Sequence, residues 1–423
     1  MNTSEMPGYL ASPAGVEALR IPYGVEAAAQ AGRYQRLLAT HRTRFGDQAR
    51  IVMCSAPGRS EIAGNHTDHQ HGRVLAAAVN LDTIAAASPR SDAIVTLYSE
   101  GYDRPFVVNL ADLSPREDER EDTKALIRGV AARMRELGLN VRGLDACVSS
   151  TVFKGSGLSS SAAFEVMLCA VMDALYNDWQ LDAQLRARIS QHAENAYFGK
   201  PSGLLDQMAS SVGGLVTMDF ETEPARIEAL RYDFSAKGYR LAVVSAGGEH
   251  GNLTDQYAPI PGEMNDVARA LGGKVLRDIP KSDMEDAIPK LKNRVPDRAI
   301  LRALHFYDED ERVPQCVDAL KRDDLPAFLK LIVASGESSW KLLQNLYVPG
   351  TGNQEMALAL ELSRRMLEGR GAWRIHGGGF AGTILAFVPE TLFDDYRARM
   401  DAVFGPGACT ALSVRPIGPH AIA

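Results

Sequence analysis

The run Lys154-Gly-Ser-Gly-Leu-Ser-Ser-Ser-Ala-Ala163 has the composition of a phosphate cradle. Gly155 and Gly157 let a backbone close on an anion. Ser159, Ser160 and Ser161 each carry a hydroxyl that can cap a helix, donate to a phosphate oxygen or ligate magnesium. Downstream, Ala162, Val166, Leu168, Cys169, Met172 and Leu175 recur at helical spacing, so the loop is expected to enter a helix N-terminus. There, unpaired N–H groups and about half a positive charge favour a phosphate. No Gly-Lys-Ser/Thr closes the run and Lys154 precedes the glycines, which excludes a Walker A loop. Taken alone, the pattern also suits an ordinary turn and helix cap.

Three other stretches bear on chemistry. Pro57-Gly-Arg-Ser-Glu-Ile-Ala-Gly-Asn-His-Thr-Asp-His-Gln-His-Gly72 holds three of the nine histidines. His66, Asp68, His69 and His71 are possible zinc ligands, although ligands so close in sequence need a helix or a distant partner to converge; the alternatives are a binding loop or a solvated loop between strands. In Gly199-Lys-Pro-Ser-Gly-Leu-Leu-Asp-Gln-Met-Ala-Ser-Ser-Val-Gly-Gly214, Asp206 stands among small and apolar neighbours, as a reactive carboxylate or a helix cap. In Ile375-His-Gly-Gly-Gly-Phe-Ala-Gly382, glycines precede an apolar strand and imply close approach to a phosphate or to another strand.

The elements that must position these groups fill 423 residues, a length that predicts two domains. A net charge of −7 argues against nucleic acid or an acidic membrane surface, leaving a small-molecule partner. Five scattered cysteines without a Cys-x-x-Cys pair suit reduced thiols, and there is neither an export signal nor a membrane-length apolar run, so a soluble, cytoplasmic protein is expected. Residues 1–20 read as irregular and Val25 to Phe45 as a helix. Strands are expected at Arg50 to Ala56, Val74 to Leu81, Ile84 to Ala87, Ile94 to Tyr98, Phe106 to Leu110, Asp145 to Phe153, Leu215 to Phe220 and Tyr239 to Ser245. The charged run from Ser114 to Thr123 reads as a solvated loop, with Thr123 capping a helix to Leu137. A further helix from Asp182 to Phe198 ends at Gly199; helices follow between Asn265 and Leu367, and Trp373 to Val388 closes the second half. The class is α+β, divided into residues 1–215 and 216–423.

Pro-Gly-Arg-x-x-x-x-Gly-x-His-Thr-Asp, Gly-Ser-Gly-Leu-Ser-Ser-Ser-Ala-Ala and Gly-Gly-Gly-Phe-Ala-Gly occur here in the order seen in galactokinases, and over residues 50–390 the chain resembles that family of the galactokinase, homoserine kinase, mevalonate kinase and phosphomevalonate kinase (GHMP) superfamily. The resemblance implies an N-terminal ribosomal-protein S5-like α/β domain, a C-terminal ferredoxin-like domain and an active site between them. It implies a sugar 1-kinase using ATP and Mg2+, with the nucleotide held by Gly155, Ser156, Gly157, Leu158, Ser159, Ser160 and Ser161, and by Gly378 and Gly379 beside them. Magnesium is assigned to Ser161, whose part is not separable from that of its two neighbours. The catalytic pair falls on Asp206 and Arg59, the acid taking the sugar's hydroxyl proton and the arginine offsetting phosphoryl charge or holding Asp206 ionised. Sugar contacts fall on Asn65, His66, Asp68 and Tyr257. The partners implied are sugar and ATP, without nucleic acid or membrane, and a monomer is expected. A non-catalytic sugar and ATP sensor is the competing class; the intact serine loop, Arg59 and Asp206 weigh against it.

The chain departs from the family at Glu61, Asn65 and His69, where galactokinases carry asparagine, glutamate and tyrosine. The resemblance puts the lost glutamate at the sugar's 6-hydroxyl. Asn65 removes a negative charge there, and is expected to relax that preference and admit a C6 carboxylate, as in galacturonate, with His69 or His71 assisting when protonated. Galactose is the first expectation.

Overall fold

The computed structural model describes residues 1–152, 157–200, 202–247, 254–350, 352–380 and 382–422. Its strands are β1 (Val52–Ala63), β2 (Arg73–Pro89), β3 (Ile94–Ser99), β4 (Phe106–Asn109), β5 (Leu144–Ser150), β6 (Leu215–Asp219), β7 (Arg226–Leu230), β8 (Tyr239–Gly247), β9 (Ala372–His376), β10 (Gly382–Pro389), β11 (Cys409–Leu412) and β12 (His420–Ala421). The larger sheet runs β12-β1-β2-β5-β3-β4, with β6 on β2 and β7 on β6; the smaller runs β11-β8-β10-β9. Among the described residues every pairing is antiparallel except that of β3 with β5. The first-half helices are α1 (Met6–Ala11), α2 (Pro13–Tyr23), α3 (Ala27–Phe45), α4 (Thr123–Glu136), α5 (Ser160–Tyr176), α6 (Ala183–His192) and α7 (Leu205–Val212).

Alternation along β1 divides its side chains between two helical layers. Val52 and Cys54 face a core with Ile127 and Val130 of α4 and Val166 and Cys169 of α5. Met53 joins Tyr34 and Leu38 of α3 on the other side. The two sheets also share a core, in which Ile62, Leu75 and Val79 meet Leu241, Val243, Leu385, Phe387 and Leu412. The larger sheet takes β6 and β7 from residue 215 onward and β12 from the end of the chain.

Several elements differ from the sequence reading. Residues 1–20 are largely helical: Ser12 Oγ accepts from Gly15 N at 3.2 Å, Pro13 opens α2, and Met6, Leu10 and Leu19 are buried. Asp122, not Thr123, caps α4, accepting from Lys124 N at 2.8 Å. The charged run before it is only partly solvated, because Glu119 is buried against Arg128 at 2.7 Å. β1 does not stop at Pro57-Gly58 but absorbs them as a bulge, its register to β2 shifting between Pro57 and Arg59. β2 is one strand of 17 residues rather than two. Opposite the bulge its backbone is satisfied from far along the chain, Asn80 N donating to Ser413 O at 3.0 Å and Arg415 N to Ala78 O at 2.9 Å.

Candidate active site

The β1 bulge brings Arg59 to the loop before α5. Arg59 N donates to Leu158 O at 3.1 Å, and its guanidinium donates from Nη1 to Gly157 O. Leu158 is 1% exposed and anchors the loop in the core shared by the two sheets. Gly157, at φ +69°, lies so close to the smaller sheet that a Cβ there would come within 2.8 Å of His376 Nδ1. His376 in turn bonds Ser60 Oγ at 3.0 Å. Lys154, Gly155 and Ser156 lie outside the described residues.

Arg59 Nε donates to Asp206 Oδ1 at 2.7 Å, and Ser159 Oγ donates to Asp206 Oδ2. Leu205, Met208 and Ala209 of α7 pack on Val74, Ala76 and Val216, which turns Asp206 toward Arg59. Leu204 is the N-cap of α7, so Asp206 is not its cap. Burial raises the Asp206 pKa, but the Arg59 charge and the bonds from Arg59 and Ser159 outweigh it and hold the carboxyl below its usual range. Its side chain keeps 24% of its surface exposed.

Across from Asp206 lie the residues of the histidine-rich motif. A Cβ on Gly203 would come within 2.2 Å of Asp68 Oδ2, so this carboxylate abuts the turn leading into α7. Burial raises its pKa, with Glu61 and Asp206 adding to the rise and His66 and the His69 N–H opposing it. Burial, with the charges of His66 and His305, pushes His69 down to about 3; it is therefore neutral near pH 7, which removes the protonated role expected of it. Among the described residues no three His, Cys, Asp or Glu side chains converge as a metal site.

Three consecutive carbonyls of the glycine turn between β9 and β10 are gripped by side chains. Asn65 Nδ2 donates to Gly377 O at 2.9 Å. His66 Nε2 and Asn345 Nδ2 donate to Gly378 O, each at 3.0 Å. Tyr257 OH donates to Gly379 O at 2.9 Å. Tyr257 lies so close to the turn that a Cβ on Gly378 would come within 2.6 Å of its ring. Asn65 is itself enclosed: its Nδ2 also donates to Glu61 Oε1 at 3.0 Å, and its Oδ1 accepts from Ser339 Oγ at 3.2 Å and Asn345 Nδ2 at 3.1 Å. The acid absent from position 65 stands at Glu61, where buried Arg374 pairs with it at 2.8 Å.

On the other side of the loop, the N-cap position of α5 is Ser159, which adopts φ +56° and gives the helix no side-chain cap. Ser161 Oγ donates to Glu194 Oε1 at 2.9 Å, and Lys200 Nζ pairs with the same oxygen at 3.1 Å. Glu194 sits in a π-helical turn, Ala193–Phe198, that extends α6 and ends at Gly199. An uncapped helix N-terminus beside hard hydroxyl and carboxylate oxygens fits a magnesium-bound phosphate, since magnesium is held by one or two protein oxygens together with phosphate oxygens. The sequence reading overlooked Glu194; the available signal was an acid at a core position, one helical turn from buried Ser190 and Tyr197.

This arrangement has relatives. Residues 39–89 match the galactokinase galactose-binding signature and residues 125–214 the GHMP kinase N-terminal domain. A galactokinase of Streptomyces coelicolor is 32% identical over 375 residues, covering 87% of this chain and 92% of its own. The chain belongs to the galactokinase family. A galactokinase of Actinobacillus pleuropneumoniae is 29% identical, over 81% of this chain and 86% of its own. In structure, the chain is similar to Lactococcus lactis galactokinase solved with galactose, at TM-score 0.78 and 20% identity over 92% of this chain and 99% of the other. It is similar also to Methanococcus jannaschii mevalonate kinase, at TM-score 0.63 and 15% identity over 87% and 99%. This galactokinase-family chain is thus a kinase, a phosphotransferase with the α+β GHMP fold. No described helix is long and apolar enough to cross a membrane.

Proposed function

We propose that this kinase transfers the terminal phosphoryl group of ATP to the anomeric hydroxyl of galactose or a closely related sugar. The observation that carries this reading is the Asp206 carboxylate, held ionised by Arg59 and Ser159 yet still open beside Asp68. In the transfer the sugar's O1–P bond forms, the bond from phosphorus to the ADP oxygen breaks, and the hydroxyl proton passes to Asp206. A carboxylate with a depressed pKa is a weak base. Asp206 therefore orients the hydroxyl first and takes its proton late, once bonding to phosphorus has acidified it. Arg59 keeps Asp206 ionised and ties it to the Gly157 carbonyl, so acceptor and phosphate sides move as one unit.

Ser161 and Glu194 would hold magnesium. The ion, when bound, neutralises charge on the phosphate oxygens. The N-terminus of α5 and the adjoining loop, with Gly378 and Gly379, would hold the nucleotide phosphates. His66, with Nε2 donating to Gly378 O, leaves Nδ1 for a hydrogen bond with a sugar hydroxyl, and Asp68 offers its carboxylate. Asn65 and Tyr257 act for the sugar through the backbone they hold. Five free, buried cysteines support a reducing, cytoplasmic setting.

A coupled assay of ATP consumption over a sugar panel, with the product identified, tests the proposal. Galactose should yield a sugar 1-phosphate, and galacturonate is the second candidate. No magnesium-dependent turnover with any aldose would refute it.

A further inference from the structure

Beneath Glu194 lies an acid that phosphoryl transfer leaves unused. Glu165 of α5 is 0% exposed, and its Oε2 accepts from Gln207 Nε2 at 3.2 Å. The same nitrogen donates to Glu194 Oε2 at 2.7 Å, which uses both of its hydrogens. Turning the amide over would set an oxygen against Glu194, so its orientation is fixed. The remaining oxygens of the two joined groups, Glu165 Oε1 and Gln207 Oε1, are both buried and have no partner among the described residues. Such orphans are costly, and two acceptors on groups already joined once have one economical remedy. A proton on Glu165 Oε1, directed at Gln207 Oε1, would satisfy both and complete a two-bond acid–amide pair. Burial first, and then the charge of Glu194, raise the Glu165 pKa well above the carboxylate range; the bond from Gln207 and the charge of Lys200 lower it and Asp206 raises it, without reversing the direction.

We propose that Glu165 stands in the folded enzyme as a neutral acid paired with the Gln207 amide, and that this pair is a positioning device which fixes the Glu194 carboxylate facing Ser161. The proposal rests on the reading of Glu194 as a magnesium holder. Groups behind metal ligands that set their orientation are worth about 10–100-fold in metal affinity.

The test uses the full chain with a non-hydrolysable ATP analogue, followed by fluorescence as magnesium is added. Glu165→Gln, whose NH2 can replace the O–H, should bind magnesium within about twofold of the native protein. Glu165→Leu leaves Gln207 unheld and should lose about 10–100-fold, with metal-free nucleotide affinity unchanged. Equal impairment in both variants, or in neither, overturns the proposal. Infrared difference spectra provide a readout independent of metal and of the folding of Glu165→Leu. A protonated-carboxyl band present in the native protein at neutral pH and absent from Glu165→Gln supports the pair; no difference overturns it. Glu194→Gln separates the two ideas: unchanged magnesium affinity there removes the metal reading, and the infrared band alone then decides the pairing.

Discussion

Arg59 and Asn65 come from one motif and end in different surroundings. The Arg59 guanidinium is tied to Asp206, whose side chain keeps 24% of its surface exposed and has lone pairs to spare. The Asn65 amide makes four bonds, to Glu61, Gly377, Ser339 and Asn345, and the residue is 1% exposed. The first region keeps a charged group partly open, whereas the second uses all its polar capacity on neighbouring groups of the protein, three side chains and one backbone carbonyl. A polar residue in a functional motif is therefore a candidate for chemistry only where it retains an unused, accessible valence.

The sharpest way to break this contrast is at the open end. Asp206→Asn preserves the shape and can still accept from Arg59, but it cannot take a proton. Its kcat should fall by about 10²–10⁴, with ATP affinity unchanged, as read by single-turnover rates and equilibrium binding. Near-native turnover would reduce Asp206 to a structural partner of Arg59.

Arg59→Met should have a smaller effect on rate and a diagnostic one on pH. In the native protein Asp206 is ionised down to a pH below the ordinary carboxylate range. Its contribution to stability is therefore present above the unfolded pKa of about 3.9 and is lost as pH falls through the lower folded value. Without Arg59, burial dominates and the Asp206 pKa rises. The acid limb of kcat/KM should move upward, and the acid-side stability from this pair should disappear. An unmoved limb would mean that another group governs it.

The open region was legible in the sequence, while much of the closed one was not. Glycines and serines ahead of an apolar helix are a local mark of a phosphate loop, so Gly157 and Ser159 could be singled out before any coordinates, while Arg59 and the reactive reading of Asp206 came from the resemblance to galactokinases. Glu194 acquires its meaning only from Ser161 and Gln207, which reach it across the fold. The enclosure of Asn65 depends on Ser339 and Asn345, hundreds of residues away in the chain. The unbroken course of β2 likewise depends on residues 413–415. The helices before residue 24 carried a local signal, Ser12 followed by Pro13, which the short polar composition obscured.

At the closed end, Asn65→Glu should act on structure before specificity. The new carboxylate faces the Gly377 carbonyl and Glu61 Oε1 and cannot donate to either when ionised. Each acceptor left unpaired costs about 1–3 kcal/mol. The midpoint of thermal unfolding should drop, and kcat/KM for galactose and galacturonate should fall together. A shift in preference toward galactose at unchanged stability would instead place Asn65 in contact with the sugar.

Tyr257→Phe is the mildest test, because it removes one member of the carbonyl grip and leaves the others. The ring still packs on Phe380, with centroids 5.6 Å apart, and still covers Gly378, so the lost group is a single hydroxyl. A hydrogen bond of this kind is worth about 0.5–1.5 kcal/mol net, equivalent to roughly 2–10-fold in an equilibrium or rate constant. Gly379 lies in the turn assigned to the phosphate side, so the loss should appear in KM for ATP at least as much as in KM for the sugar. A residue that touched only sugar would shift the sugar constant alone. A tyrosine that only filled space would leave both constants unchanged. Comparable rises in both would mean that the sugar motif and the phosphate loop are joined through three glycine carbonyls.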